Sequence, residues 1–247
     1  KNAVYSSSGD AVNNRKFQLL GDPALTLAFP EYKVVTDSIN GKAVTAETDT
    51  LRGLAAYTVK GHITDAQGNM AAGYNGTLYT TVFDQPSMQK TRGNDAGSQA
   101  AEYPLQQNIL FRGTQTVAGG RFSLTFVAPR DLREGDGKGK ISYYTSNDLT
   151  DGNGYFDNFA ASGIISGPLP DVTGPVITAW MDSRSFRNGD ITGPDPLLIV
   201  DLADSSGINI SGNNKDRLLL GILDSTEYIV LNDYFGASLD SYKKGSV

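Results

Sequence analysis

A chain of 247 residues, 39% hydrophobic and 19% charged, exceeds the roughly 100–150 residues of a typical domain, so two or more domains are expected. The net charge of −6 and pI near 4.8 argue against a general nucleic-acid or anionic-membrane surface, and no run approaches the ~20 apolar residues of a membrane-spanning helix. Cysteine is absent, which excludes a disulfide framework, a thiolate zinc site and a cysteine nucleophile within these residues.

The acidic residues are 22 Asp and 5 Glu, a skew away from a good helix former and toward a residue that favours turns and caps. Together with 28 glycines this predicts a mainly β protein rich in turns. Lys1 is no initiator and no apolar leader precedes the fold, so the sequence reads as a fragment or a processed product.

Residues 1–30 form a first segment. Its beginning is small and polar, with Ser6-Ser-Ser-Gly-Asp10 as loop. Phe17-Gln-Leu-Leu-Gly-Asp-Pro-Ala-Leu-Thr-Leu-Ala-Phe-Pro30 then reads as a short buried strand, a Gly-Asp-Pro turn and a second apolar run.

Residues 31–168 carry short apolar runs separated by turn residues, the pattern of a β-sandwich. Strands are predicted over 32–39, 54–64, 77–83, 108–112, 121–127, 140–145 and 159–165. Seven such strands predict an immunoglobulin-like or fibronectin-like β-sandwich. Alternation in Arg121–Val127 turns Phe122, Leu124 and Phe126 inward, which makes it the best core strand of the chain. In 59–64 the same rule sends Val59, Gly61 and Ile63 one way and Lys60, His62 and Thr64 the other, so His62 faces solvent. Tyr143 and Tyr144 point to opposite faces, leaving one ring exposed. The polar stretch from Asp84 to Gln107 has few aromatic anchors and is expected to be a mobile loop.

Ser166-Gly-Pro-Leu-Pro-Asp-Val-Thr-Gly-Pro175 reads as a semi-rigid linker. Residues 169–247 then begin a second sandwich, with strands predicted over 176–181, 197–202, 217–223 and 228–231. Four strands are fewer than a closed sandwich needs, so this domain is expected to be truncated.

Candidate chemistry is sparse. Asp151, Asn153, the Tyr155 carbonyl and Asp157 alternate as oxygen ligands for calcium often do, and the same Gly-rich residues also read as a hairpin whose Asp and Asn side chains cap local amides. Trp180 reads as a core or interdomain anchor, with a sugar platform as the functional alternative. Asp201 and Asp204 are a formal carboxylate pair, but Asp204-Ser-Ser-Gly207 is a turn. The single histidine, His62, has no nucleophile-elbow context.

Several pieces in fixed order carry a family resemblance: Leu19-Leu-Gly-Asp-Pro23, Asp49-Thr-Leu-Arg52, Gly139-Lys-Ile-Ser-Tyr-Tyr144, Thr173-Gly-Pro175, Phe186, Asp204-Ser-Ser-Gly-Ile-Asn209 and Leu231-Asn-Asp-Tyr-Phe235. The chain resembles the C-terminal part of the signal peptidase (sortase) of the type IX secretion system in Bacteroidetes, of the gingipain-type cysteine peptidase family. One departure is Ile165-Ser-Gly167, where that family commonly has a Gly-Gly pair.

The resemblance implies that residues 1–30 are the tail of a caspase-like α/β domain, followed by tandem sandwiches. It places the catalytic Cys and His upstream of Lys1, so no catalytic residue is carried onto this chain. It further implies a parent that removes C-terminal secretion signals from cargo and attaches the cargo to the cell surface. The implied partners are the upstream peptidase domain, outer-membrane secretion components and cargo. The alternatives are a surface adhesin or carbohydrate-binding immunoglobulin-like module, and a secreted gingipain-like peptidase.

Overall fold

The computed structural model describes residue 24 and residues 29–45, 50–165, 173–211, 219–223 and 227–247. The Leu-Gly-Asp-Pro segment and most of the 166–175 linker lie outside the described residues.

Among the described residues, twelve strands come from the first part: β1 (Tyr32–Ile39), β2 (Lys42–Ala43), β3 (Leu51–Gly53), β4 (Ala56–Thr64), β5 (Gly76–Phe83), β6 (Ser87–Lys90), β7 (Glu102–Leu105), β8 (Ile109–Val117), β9 (Arg121–Val127), β10 (Lys140–Ser146), β11 (Asp151–Phe156) and β12 (Ala161–Ile164). The second part adds β13 (Val176–Met181), β14 (Leu198–Ala203), β15 (Leu220–Leu223), β16 (Glu227–Val230), β17 (Gly236–Ala237) and β18 (Lys244–Ser246). The fold is mainly β, as the composition predicts.

Strands β9-β4-β1 form one layer and β11-β10-β5-β8 the other, with neighbours hydrogen-bonded in that order. A short parallel pairing, Tyr32 with Gly152 and Lys33 with Asn153, joins β1 to β11 at one corner. The β8–β9 connection turns the other corner. This is the layering of a seven-stranded fibronectin-like sandwich.

Strand alternation explains the core. Phe122, Leu124 and Phe126 of β9 are all buried, as are Val59 and Ile63 of β4 and Ile141 and Tyr143 of β10. Across the layers Phe126 meets Phe111 with ring centroids 5.5 Å apart, and Phe122 meets Tyr143 at 5.6 Å. Burial pushes the Tyr143 phenol well above the ordinary tyrosine range, and its hydroxyl shares a 2.8 Å hydrogen bond with the Thr36 hydroxyl of the facing layer.

Several strands differ from expectation: β2, β3, β17 and β18 fall where none was predicted, and so does β11. Residues 151–156, read from sequence as candidate calcium ligands or part of a Gly-rich hairpin, are strand β11. Asp, Asn and Gly are depleted in strands, which hides it. Its glycines have a packing reason: a Cβ on Gly154 would overlap the Val34 carbonyl oxygen, and one on Gly152 would lie 2.9 Å from Tyr32 Cβ.

The polar stretch after Asp84 also differs. Its arms pair as the two-stranded ribbon β6–β7, with Met88 opposite Pro104 and Gln89 opposite Tyr103. A buried polar knot holds its foot. Asp84 is fully buried, and its carboxylate accepts from the Gln85 and Arg133 amides and the Asn108 side chain at 2.8–3.1 Å. The Gln85 side chain donates to the Arg133 and Ala161 carbonyls and accepts from Gly137 N–H. Every buried group in the knot is thereby satisfied.

The second part extends the same hydrogen-bonded sheet in the order β13-β14-β18-β17, and β17 pairs in parallel with β8 through Ala237 and Gly113. Asp240 reinforces the seam by accepting from Thr116 N–H at 2.8 Å and the Thr116 hydroxyl at 2.6 Å. Arg112 donates across it to the Asp233 carbonyl. Val200, Leu202, Ile210, Phe235 and Ala237 form a small core continuous with the first.

Candidate functional site

The described residues place the sequence-derived candidates apart. His62 lies on the outer face of β4, half-buried, with Nδ1 2.8 Å from the Asp37 carboxylate. That pair has two of the three parts of a hydrolytic triad, and no serine hydroxyl is hydrogen-bonded to it among the described residues. Asp201 is held by a bidentate pair with Arg184, at 2.9 and 2.7 Å. The guanidinium keeps its carboxyl below the usual carboxylate range. Asp204 accepts from the Ser206 amide and hydroxyl as a local turn cap. Trp180 is half-buried on edge strand β13, opposite Ile199.

Asp151, Asn153 and Tyr155 lie at alternate positions of β11, with Asp157 just past its end. Alternate side chains of a strand are about 6.6 Å apart, which sets the spacing of the Asp151 and Asn153 side chains along β11. Asp151 accepts from the Tyr144 hydroxyl at 3.2 Å. Partial burial and the Asp151 charge raise the Tyr144 pKa. A calcium-dependent rise in melting temperature is the check on this ligand set.

The same row borders a groove that sequence reading missed. Past Lys33 and Asn153 no strand pairing joins β1 to β11. There a groove of about 750 Å³ opens, lined by Lys33, Val35, Lys140, Ser142, Asn153 and Tyr155 over the Gly154 backbone. Alternation puts all six of these side chains on the outer side of their strands. The Lys140 ammonium lies 5.0 Å from the Phe83 ring centroid, and neither lysine has a carboxylate partner among the described residues. Tyr155 is 69% exposed. Tyr144 and Tyr79 continue the aromatic surface on β10 and β5, with centroids 6.0 Å apart. The signal available in the sequence was outward alternation of Lys140, Ser142 and Tyr144, but pairing them with β11 required knowing that β11 is a strand.

No protein-family model matches this chain, and no curated protein matches it. Among solved structures it is similar to dimeric latent PorU from Porphyromonas gingivalis, at 26% identity over 92% of this chain and 22% of that one, with a TM-score of 0.58. The sporulation control protein Spo0M of Bacillus subtilis aligns at 11% identity over 83% of this chain and 82% of that one, with a TM-score of 0.32, too low to carry an argument. The chain therefore has a PorU-like fold, and it spans 22% of the length of the PorU structure it matches.

Proposed function

We propose that this chain is a noncatalytic C-terminal segment of a gingipain-type cysteine peptidase that acts as a type IX secretion sortase. The observation that carries the reading is the 26% identity to PorU, a type IX sortase, across 92% of this chain. In the parent protein, an upstream Cys and His perform the chemistry on cargo whose C-terminal secretion signal is removed. The sandwiches brace the upstream peptidase domain and space it from outer-membrane secretion components at the cell surface. A continuous sheet from β9 to β13 suits a brace, because hydrogen bonds across the seam at β8 and β17 resist hinge motion between the two parts.

The test is deletion of residues 31–247 from the parent, followed by measurement of folding, surface localisation and cargo cleavage. Loss of processing with a folded peptidase domain is the expected result. Intact folding, localisation and processing would overturn the supporting role. Upstream sequence with further sandwiches and no Cys would instead favour an adhesin.

A further inference from the structure

On the solvent face of the second part, opposite its small core, strands β13, β14 and β18 present a polar pocket that the sortase reading does not use. We propose that this pocket binds a singly charged tetrahedral oxyanion ester, a phosphodiester or a sulfate ester, with Lys244 as its principal cation.

Register is the first argument. Thr178, Asp201 and Ser246 stand directly opposite one another across the three strands, and so do Val176, Ala203 and Lys244. Opposite residues share a face, and the two rows lie about 6.6 Å apart along the strands. Val200 and Leu202 point the other way and are buried, so both rows face solvent. Ser238 joins the second row, its amide donating to the Lys244 carbonyl at 2.9 Å. Among these side chains Ala203 and Gly236 are small, and a Cβ on Gly236 would meet open space. A pocket of about 270 Å³ results, with room for one small ester group.

Unused donors are the second. The Lys244 ammonium has no carboxylate partner among the described residues, and the hydroxyls of Thr178, Ser238 and Ser246 have no hydrogen-bond partner among them. Arg184 lines the same pocket with its side-on edge, Nε and Nη2, committed to Asp201 at 2.9 and 2.7 Å. Its Nη1 remains to donate. An ammonium and three hydroxyls spread over separate strands suit the diverging oxygens of a tetrahedral group better than the two coplanar oxygens of a carboxylate.

Charge sets the class. Lys244 and Arg184 against Asp201 leave the pocket one positive charge, which matches a single negative one. A phosphate monoester, carrying about −1.5 to −2 at pH 7, would bring its further charge toward Asp201. Val176, 69% exposed at the rim, offers an apolar contact to the organic part of an ester, which a bare inorganic anion lacks.

The pocket lies wholly within this chain, so its fate is separate from that of the sortase reading. The experiment is a titration of the full chain, followed by amide chemical shifts, with methyl sulfate, dimethyl phosphate, inorganic phosphate and acetate at low ionic strength. Methyl sulfate and dimethyl phosphate should give saturable shifts at 176–178, 201–203 and 244–246, with higher affinity than acetate or inorganic phosphate, and added salt should weaken them. Lys244→Gln should weaken the binding about tenfold, the loss of one charge-assisted contact, with an unchanged melting temperature showing that the variant folds. Thr178→Val removes only the hydroxyl and should weaken it about threefold. Asp201→Asn should raise the affinity for inorganic phosphate. Sedimentation with phosphatidylglycerol vesicles separates the two sources of a phosphodiester: a lipid headgroup carries the chain into the pellet, and a soluble ester leaves it in solution with the shifts intact. No saturable shift with either ester, binding that survives Lys244→Gln, or equal affinity for acetate would each overturn the proposal.

Discussion

The two parts of the molecule are held together differently. In the first sandwich Phe126, Phe159, Ile63 and Leu78 are almost wholly buried between two layers. In the second part β13 leaves Val176 and Ile177 more than half exposed, and β15–β16 exposes Ile222 and Tyr228 to a similar degree. One part carries a two-layer core. The other has a small core of Val200, Leu202, Ile210, Phe235 and Ala237 and a sheet hydrogen-bonded to the edge of β8. A β-sheet can thus be extended well past the core that stabilises it, provided its edge strand is rigid and unpaired.

Phe126→Ala tests this dependence most directly. Phe126 is fully buried and its ring meets both Phe111 and Tyr57, so truncation should cost about 3–5 kcal/mol in urea unfolding. Because the second part leans on the first, the fluorescence of Trp180, the one tryptophan, should change at the same shifted midpoint as circular dichroism. A Trp180 transition that stays at its original midpoint would mean that the second part folds alone.

Packing density gives the next contrast. Gly154→Ala forces a methyl onto the Val34 carbonyl and should destabilise by roughly 1–3 kcal/mol. Gly236→Ala in β17 meets open space and should be close to neutral. Equal effects at the two positions would contradict the difference in packing drawn here.

These glycines also show where sequence reading stopped. The β1 and β9 strands, with clear apolar alternation, were legible to the residue, and so was the inward turn of Phe122, Leu124 and Phe126. The β11 strand was not, because its Gly152 and Gly154 are fitted to a neighbouring strand rather than to any local preference. The ribbon β6–β7 was hidden for a related reason. Its anchor is a polar knot around Asp84 and Gln85 that joins residues up to 76 positions apart. Of the candidate site, Asn153 and Tyr155 were singled out from sequence, but as calcium ligands rather than as one wall of a groove. Lys33 and Lys140 are 107 residues apart and border the same groove from β1 and β10.

A smaller effect separates seam from core. Asp240→Ala removes two hydrogen bonds to Thr116 and should cost about 1–2 kcal/mol. The loss should appear as faster amide exchange at 236–247, with protection in β4 and β9 unchanged. Faster exchange throughout the first sandwich would show that the seam stabilises both parts equally.

The smallest expected effect is electrostatic and confined to the second part. Arg184 hydrogen-bonds and attracts Asp201, holding its carboxyl below the ordinary value of 3.8. The unfolded chain therefore takes up a proton here more readily than the folded one, and stability rises with pH through this window. The contribution is fully present above the unfolded value and disappears as pH falls through the lower folded one. Both side chains are substantially exposed, so solvent and salt screen the pair and its worth is small. Asp201→Asn should lower the Trp180 transition slightly at neutral pH and low salt, with the deficit vanishing in acid and in high salt. The far-ultraviolet signal, dominated by the first sandwich, should barely move. A deficit that persists unchanged below the carboxylate range would assign the effect to packing of β14 rather than to charge.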